Sequence, residues 1–79
     1  MKIKIIGKNS SNRTKLLKNT NKALKKFNNG IEIMLLEEKE DENKYGITNT
    51  PSLIIDDKIV SQGKVLTDRE IINYIRVLS

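Results

Sequence analysis

Asn49-Thr50-Pro51-Ser52-Leu53-Ile54-Ile55-Asp56-Asp57-Lys58-Ile59-Val60-Ser61 decides the fold of this chain. It holds the only proline, followed by two β-rich runs at 53–55 and 59–61. Asp56 and Asp57 between them tolerate the dihedrals of a two-residue hairpin turn. Proline has no N–H to give a ladder, so Pro51 must stand at the entrance of its strand rather than inside it. A Thr-Pro step at such an entrance suits a cis peptide bond, and a cis Thr50–Pro51 bond is expected here.

Downstream, Gly63 and Lys64 turn the chain out of the hairpin. Thr67, with Glu70 three residues on, forms the capping box of a final helix. Ile71, Ile72, Ile75 and Leu78 supply its apolar stripe, which Tyr74 and Val77 widen. Upstream, Tyr45-Gly46-Ile47-Thr48 leads into the hairpin, preceded by an acidic segment, 37–44, long enough for one or two exposed helical turns. Ile31-Glu32-Ile33-Met34-Leu35-Leu36 reads as a strand.

At the N-terminus, Lys2-Ile3-Lys4-Ile5-Ile6 alternates with the period of a half-buried strand. Ile3 and Ile5 are expected in the core, and Lys2 and Lys4 in water. Gly7 ends this strand, and the 8–12 loop offers several helix caps. Leu16, Leu17, Thr20, Ala23, Leu24 and Phe27 then recur at helical spacing, with Lys15, Lys18, Lys22, Lys25 and Lys26 on the other side. Asn28-Asn29-Gly30 makes a favourable C-terminal cap and turn. A strand–helix–strand unit of this length is a right-handed parallel crossover. The expected order is β-α-β-(short α)-β-β-α, an α/β domain spanning 1–79. Its four-stranded mixed sheet carries the two long helices on one face.

Composition narrows the chemistry. Seventy-nine residues make one modest core. The chain has no cysteine and no histidine, so thiol chemistry, disulfides, thiolate metal sites and the commonest general base are absent. No metal site and no cofactor is expected. No apolar run approaches the roughly 20 residues needed to span a bilayer, and a cytoplasmic protein without membrane contact is expected. Charge is unevenly spread within a formal net charge of +5: nine Lys or Arg and no acid in 1–30, then six acids against two lysines in 31–45. The plain reading of the lysines is a solvated helix face.

Three stretches carry a family resemblance: Lys2-Ile3-Lys4-Ile5-Ile6-Gly7, Tyr45-Gly46-Ile47-Thr48-Asn49-Thr50-Pro51, and the hairpin from Leu53 to Ser61 with its spacing to Gly63. Over nearly its whole length the chain resembles the small thioredoxin-like, glutaredoxin-like "redox-active disulfide" proteins. The resemblance implies a minimal thioredoxin fold. It also implies a Cys-x-x-Cys pair at the start of the first helix, facing a cis-proline. Counted from Gly7, those cysteine positions fall on Ser10 and Arg13. Asp57 replaces the usual glycine of the hairpin turn, and Leu66 stands where a proline is common.

Disulfide exchange needs a thiolate to attack and a thiol to resolve, and neither Ser10 nor Arg13 supplies one. Ser10 reads first as a helix N-cap, with a hydroxyl that holds a ligand's thiolate as the alternative. Arg13 reads as surface drift or as a group holding an anion near free N–H groups. The leading functional expectation is a redox-inactive binding module for a protein or peptide partner, acting as a monomer or weak dimer. Its groove would lie between Asn9, Ser10 and Arg13 on one side and Asn49, Thr50 and Pro51 on the other. In the family the backbone before the cis-proline pairs with an extended chain, and Thr50 occupies that place. Nucleic-acid or polyanion binding by Lys15, Lys18, Lys22, Lys25 and Lys26 ranks second, and a monothiol or glutathione-type thiol-handling protein last.

Overall fold

The computed structural model describes residues 1–27 and 30–78. Asn28 and Asn29 of the expected cap lie outside the described residues; Gly30 itself has φ 81°. The order is β1 (Lys2–Ile6), α1 (Ser11–Leu24), β2 (Glu32–Leu36), α2 (Lys39–Tyr45), β3 (Ser52–Ile55), β4 (Lys58–Gln62) and α3 (Asp68–Leu78). The four strands form one mixed sheet in the order β2-β1-β3-β4. β1 runs parallel to β2 and antiparallel to β3, and β3 and β4 form the antiparallel hairpin.

Alternation along β1 and β3 sends side chains to two faces. Ile3 and Ile5 pair with Ile55 and Leu53, and these four pack with Leu16 and Ala23 of α1 and Ile71 and Ile75 of α3. Ile6 and Ile54 point the other way and join Ile47, with Leu36 and Tyr45 against them. The two long helices therefore cover one face, and α2 with the chain after it covers part of the other.

Local chemistry explains the element ends. Ser10 caps α1 by accepting from the Arg13 N–H at 3.1 Å. The helix stops at Leu24, not at Phe27 as its apolar spacing suggests. Three successive i→i+3 bonds, ending with Phe27 N–H to the Leu24 carbonyl at 3.0 Å, tighten the chain there, and Phe27 packs on the core from this turn. At α3 the capping box is formed: the Glu70 N–H donates to Thr67 Oγ1 at 3.2 Å and the Thr67 N–H to Glu70 Oε1 at 3.1 Å. Leu66, in place of proline, is buried, and its carbonyl accepts from Asn19 Nδ2 at 2.9 Å. Val77 does not widen the α3 stripe; it is 71% exposed.

The hairpin turn has φ 46° at Asp56 and 66° at Asp57, the left-handed pair that a tight turn between twisted strands requires. The aspartates are used as well as tolerated. Asp56 accepts from the Lys2 N–H at 2.8 Å, fastening the hairpin tip to the start of β1. Asp57 accepts from the Tyr45 hydroxyl at 3.0 Å, and that oxygen accepts from Lys4 Nζ at 2.6 Å. Lys4 is therefore not in water as the strand alternation suggests. Its side chain is 17% exposed, with its ammonium 3.6 Å from Asp57 and 5.2 Å from the Tyr45 ring centre. The hydrogen bond to Tyr45, joined by the nearby Asp57 charge, holds the Lys4 ammonium above its ordinary pKa. The Tyr45 hydroxyl and then the Lys4 charge hold the Asp57 carboxyl below its ordinary value.

Candidate functional site

The end of β1 and the start of α1 meet the entrance of β3. Gly7, at φ 151°, makes this meeting close. A methyl group there would lie 3.2 Å from Thr50 Cβ and 3.3 Å from Pro51 Cα, so only glycine lets the loop approach. The Thr50–Pro51 bond is cis. Pro51 is buried and Thr50 exposed. The Pro51 carbonyl accepts from the Gly63 N–H at 2.9 Å, which anchors the strand entrance to the end of the hairpin. Beneath it, the Thr48 N–H donates to Gln62 Oε1 at 3.0 Å and Ser52 Oγ to the Asn49 carbonyl at 2.5 Å. Thr50 alone in this bend leaves its main-chain N–H and C=O without a hydrogen-bond partner among the described residues.

An open groove of about 540 Å³ lies here, lined by Lys8, Ser10, Asn12, Lys39, Glu42, Thr50 and Pro51. Three of the six residues expected from sequence, Ser10, Thr50 and Pro51, line it together. The other three do not. Asn9 is exposed beside it. Asn49 is exposed outside the groove, its Cβ 3.1 Å from where a Cβ on Gly63 would sit. Arg13 is neither surface drift nor free to hold an anion. Its side chain is 12% exposed and its guanidinium pairs with Glu37 while donating to the Gly7 carbonyl at 3.2 Å. That charge ties α1 to the segment after β2.

Sequence reasoning missed Lys8 and Asn12, which flank Ser10, and Lys39 and Glu42 of α2. The i, i+3 spacing of Lys39 and Glu42 places both on one helix face, which was legible; where α2 would dock was not. The groove rim thus carries two cations, Lys8 and Lys39, and one carboxylate, Glu42. Ser10 remains exposed while its oxygen caps the helix. No sulfur, imidazole or other strong nucleophile lines the groove. The lysines of α1 do not all line one depression. Lys18, Lys22 and Lys25 surround Leu17, whereas Lys26 shares a separate groove with Arg69 and Arg76; Lys15 lines neither.

Residues 1–76 match a family model described as the thioredoxin domain. The chain belongs to the thioredoxin-domain family. No curated protein matches it. This thioredoxin domain keeps the strand entrance and its proline, but it has no cysteine anywhere. With no thiol to attack or to resolve, it cannot carry out dithiol–disulfide exchange. No helix among the described residues is long and apolar enough to cross a membrane.

Proposed function

We propose that this thioredoxin domain is a cytoplasmic, redox-inactive binding module, a monomer or weak dimer, that takes an extended peptide from a protein partner in the groove beside Thr50. The observation carrying this reading is the unpartnered Thr50 main chain. An extended segment laid along the groove supplies both missing partners, a short form of strand addition that needs no cysteine. The groove floor is Pro51, and its rim of mixed charge gives side chains of either sign an opposite partner.

Display selection from a random peptide library, followed by backbone amide NMR with an enriched peptide, tests the proposal. The expected result is perturbation of the Thr50 amide together with Asn12 and Glu42. No enrichment, or perturbation confined to other surfaces, would count against it. Titration with millimolar glutathione checks the thiol-handling alternative and is expected to leave the Ser10 amide unmoved, because its oxygen is engaged as the cap.

A further inference from the structure

The two long helices lie side by side and run the same way. Passing along α1 from Asn19 through Lys22 to Lys26, their neighbours in and just before α3 advance from Leu66 through Asp68 to Arg69 and Arg76. The groove between the helix ends, about 360 Å³, is lined by Lys26, Arg69, Ile72, Asn73 and Arg76, three of them cations. Next to it on α1, a depression of about 470 Å³ is floored by Leu17 and ringed by Lys18, Lys22 and Lys25. Among the described residues Asp68 pairs with one of these cations, 3.9 Å from Lys22. Lys26 and Arg69 have no ion-pair partner among the described residues. A surface kept soluble by charge alone mixes the two signs; this face gathers one sign, and like charges in one groove repel.

We infer that the outer face of α1 and α3 docks on the phosphate backbone of duplex nucleic acid without reading its sequence. The sequence suggests only the α1 lysines; the fold adds Arg69 and Arg76, whose planar guanidinium groups bind phosphate oxygens two at a time. α1 is about 21 Å long, and duplex DNA carries one charge per about 1.7 Å of axis with both strands counted, so such a length of duplex carries roughly a dozen phosphates and turns about half of them toward one face. A single strand is the poorer partner, because Phe27, Tyr45 and Tyr74 are all half-buried and the chain has no tryptophan; there is no platform for base stacking. A lipid surface is poorer too: Leu17 and Ile72 are recessed and half-buried beneath their charged rims, where an interfacial anchor projects its apolar side chains. This surface shares no residue with the groove at Thr50.

The test is fluorescence anisotropy with a labelled duplex of about 20 base pairs, between about 50 and 200 mM salt. Binding in the micromolar range at the lower salt is expected, weakening by roughly 10³-fold at the higher, as six phosphate contacts require. A triple variant, K26Q with R69Q and R76Q, is expected to bind at least tenfold more weakly at low salt, with a salt slope shallower by about 2 to 3. A control of equal charge loss elsewhere, K44Q with K58Q and K64Q, is expected to change affinity by less than about threefold, because affinity follows the phosphates contacted. All six positions are exposed on the surface, and circular dichroism melts check folding; should the triple variant melt early, the single R69E variant replaces it. Equal losses in the two triples, absence of binding at low salt, or binding to anionic phosphatidylserine vesicles without binding to the duplex would each overturn the inference.

Discussion

The two faces of the sheet are built from different materials. Among the described residues, nine buried side chains form one apolar cluster on the face covered by α1 and α3, whereas Ile6, Ile47 and Ile54 alone form the cluster on the other. The second face completes its cover with a polar chain, Lys4 to Tyr45 to Asp57, which links β1, α2 and the hairpin turn. Burial on the first face is non-directional and grows with area. On the second, the docking of a seven-residue helix depends on hydrogen bonds of fixed geometry, each adding little net stability. Two rim residues of the peptide groove, Lys39 and Glu42, come from that same short helix. The face with less core therefore supports two of the three charged residues on the proposed site's rim.

The largest effect should come from the thick face. Ile71→Ala removes a fully buried side chain from the larger cluster, and a loss of about 3–4 kcal/mol is expected. A domain of this size has about 3–5 kcal/mol to lose, so urea unfolding followed by circular dichroism should find most of this variant unfolded at 37 °C. Ile47→Ala, in the smaller cluster and 7% exposed, should lose about 2 kcal/mol, with amide changes in NMR concentrated on α2. Equal losses at the two positions would break the contrast between the faces. Tyr45→Phe keeps the ring and deletes the hydroxyl shared by Lys4 and Asp57. A loss of about 1 kcal/mol or less is expected, below that of Ile47→Ala in the same urea series.

The smallest effect is a pH dependence. The Asp57 carboxyl lies lower in the folded chain than its ordinary value, so the stability it contributes is present above the unfolded carboxylate pKa, about 3.9. It is lost as pH falls through the lower, folded value. Asp57→Asn, which tolerates the left-handed turn, should remove that contribution. The gap in urea midpoint between the two proteins should be open at pH 6 and close progressively below about pH 4. A gap independent of pH would show that the turn, and not the charge, carries the effect.

These contrasts mark how far the sequence could be read. The hairpin, the capping box at Thr67 and Glu70, the Ser10 cap and the proline at the entrance of β3 all depend on residues within a few positions of one another, where spacing and dihedral preference decide. The strand order follows from the same local elements once the crossover is taken as right-handed. What escaped was long-range. The Arg13–Glu37 pair closes 24 residues, and the Lys4–Tyr45 bond closes 41. Both turn side chains inward that alternation or helix position had assigned to solvent. The same distance in sequence hid one wall of the groove: Thr50 and Ser10 were legible as sites, but Lys39 and Glu42 joined them only when α2 docked. Lys26 likewise found Arg69 and Arg76 through the packing of α1 on α3.

The outer edge of β2 has one more consequence. In the sheet order β2-β1-β3-β4 that edge has no neighbouring strand among the described residues. It exposes Met34 and Leu35, each 41% accessible, with no lysine or proline between Ile33 and Leu36 to block a second strand. A net charge of +5 sets mutual repulsion against pairing of two molecules at that edge. Shelf life in a concentrated stock is accordingly governed by buffer composition. Dilute buffer preserves the repulsion, and added salt, which shortens its reach to about 8 Å at physiological strength, weakens it.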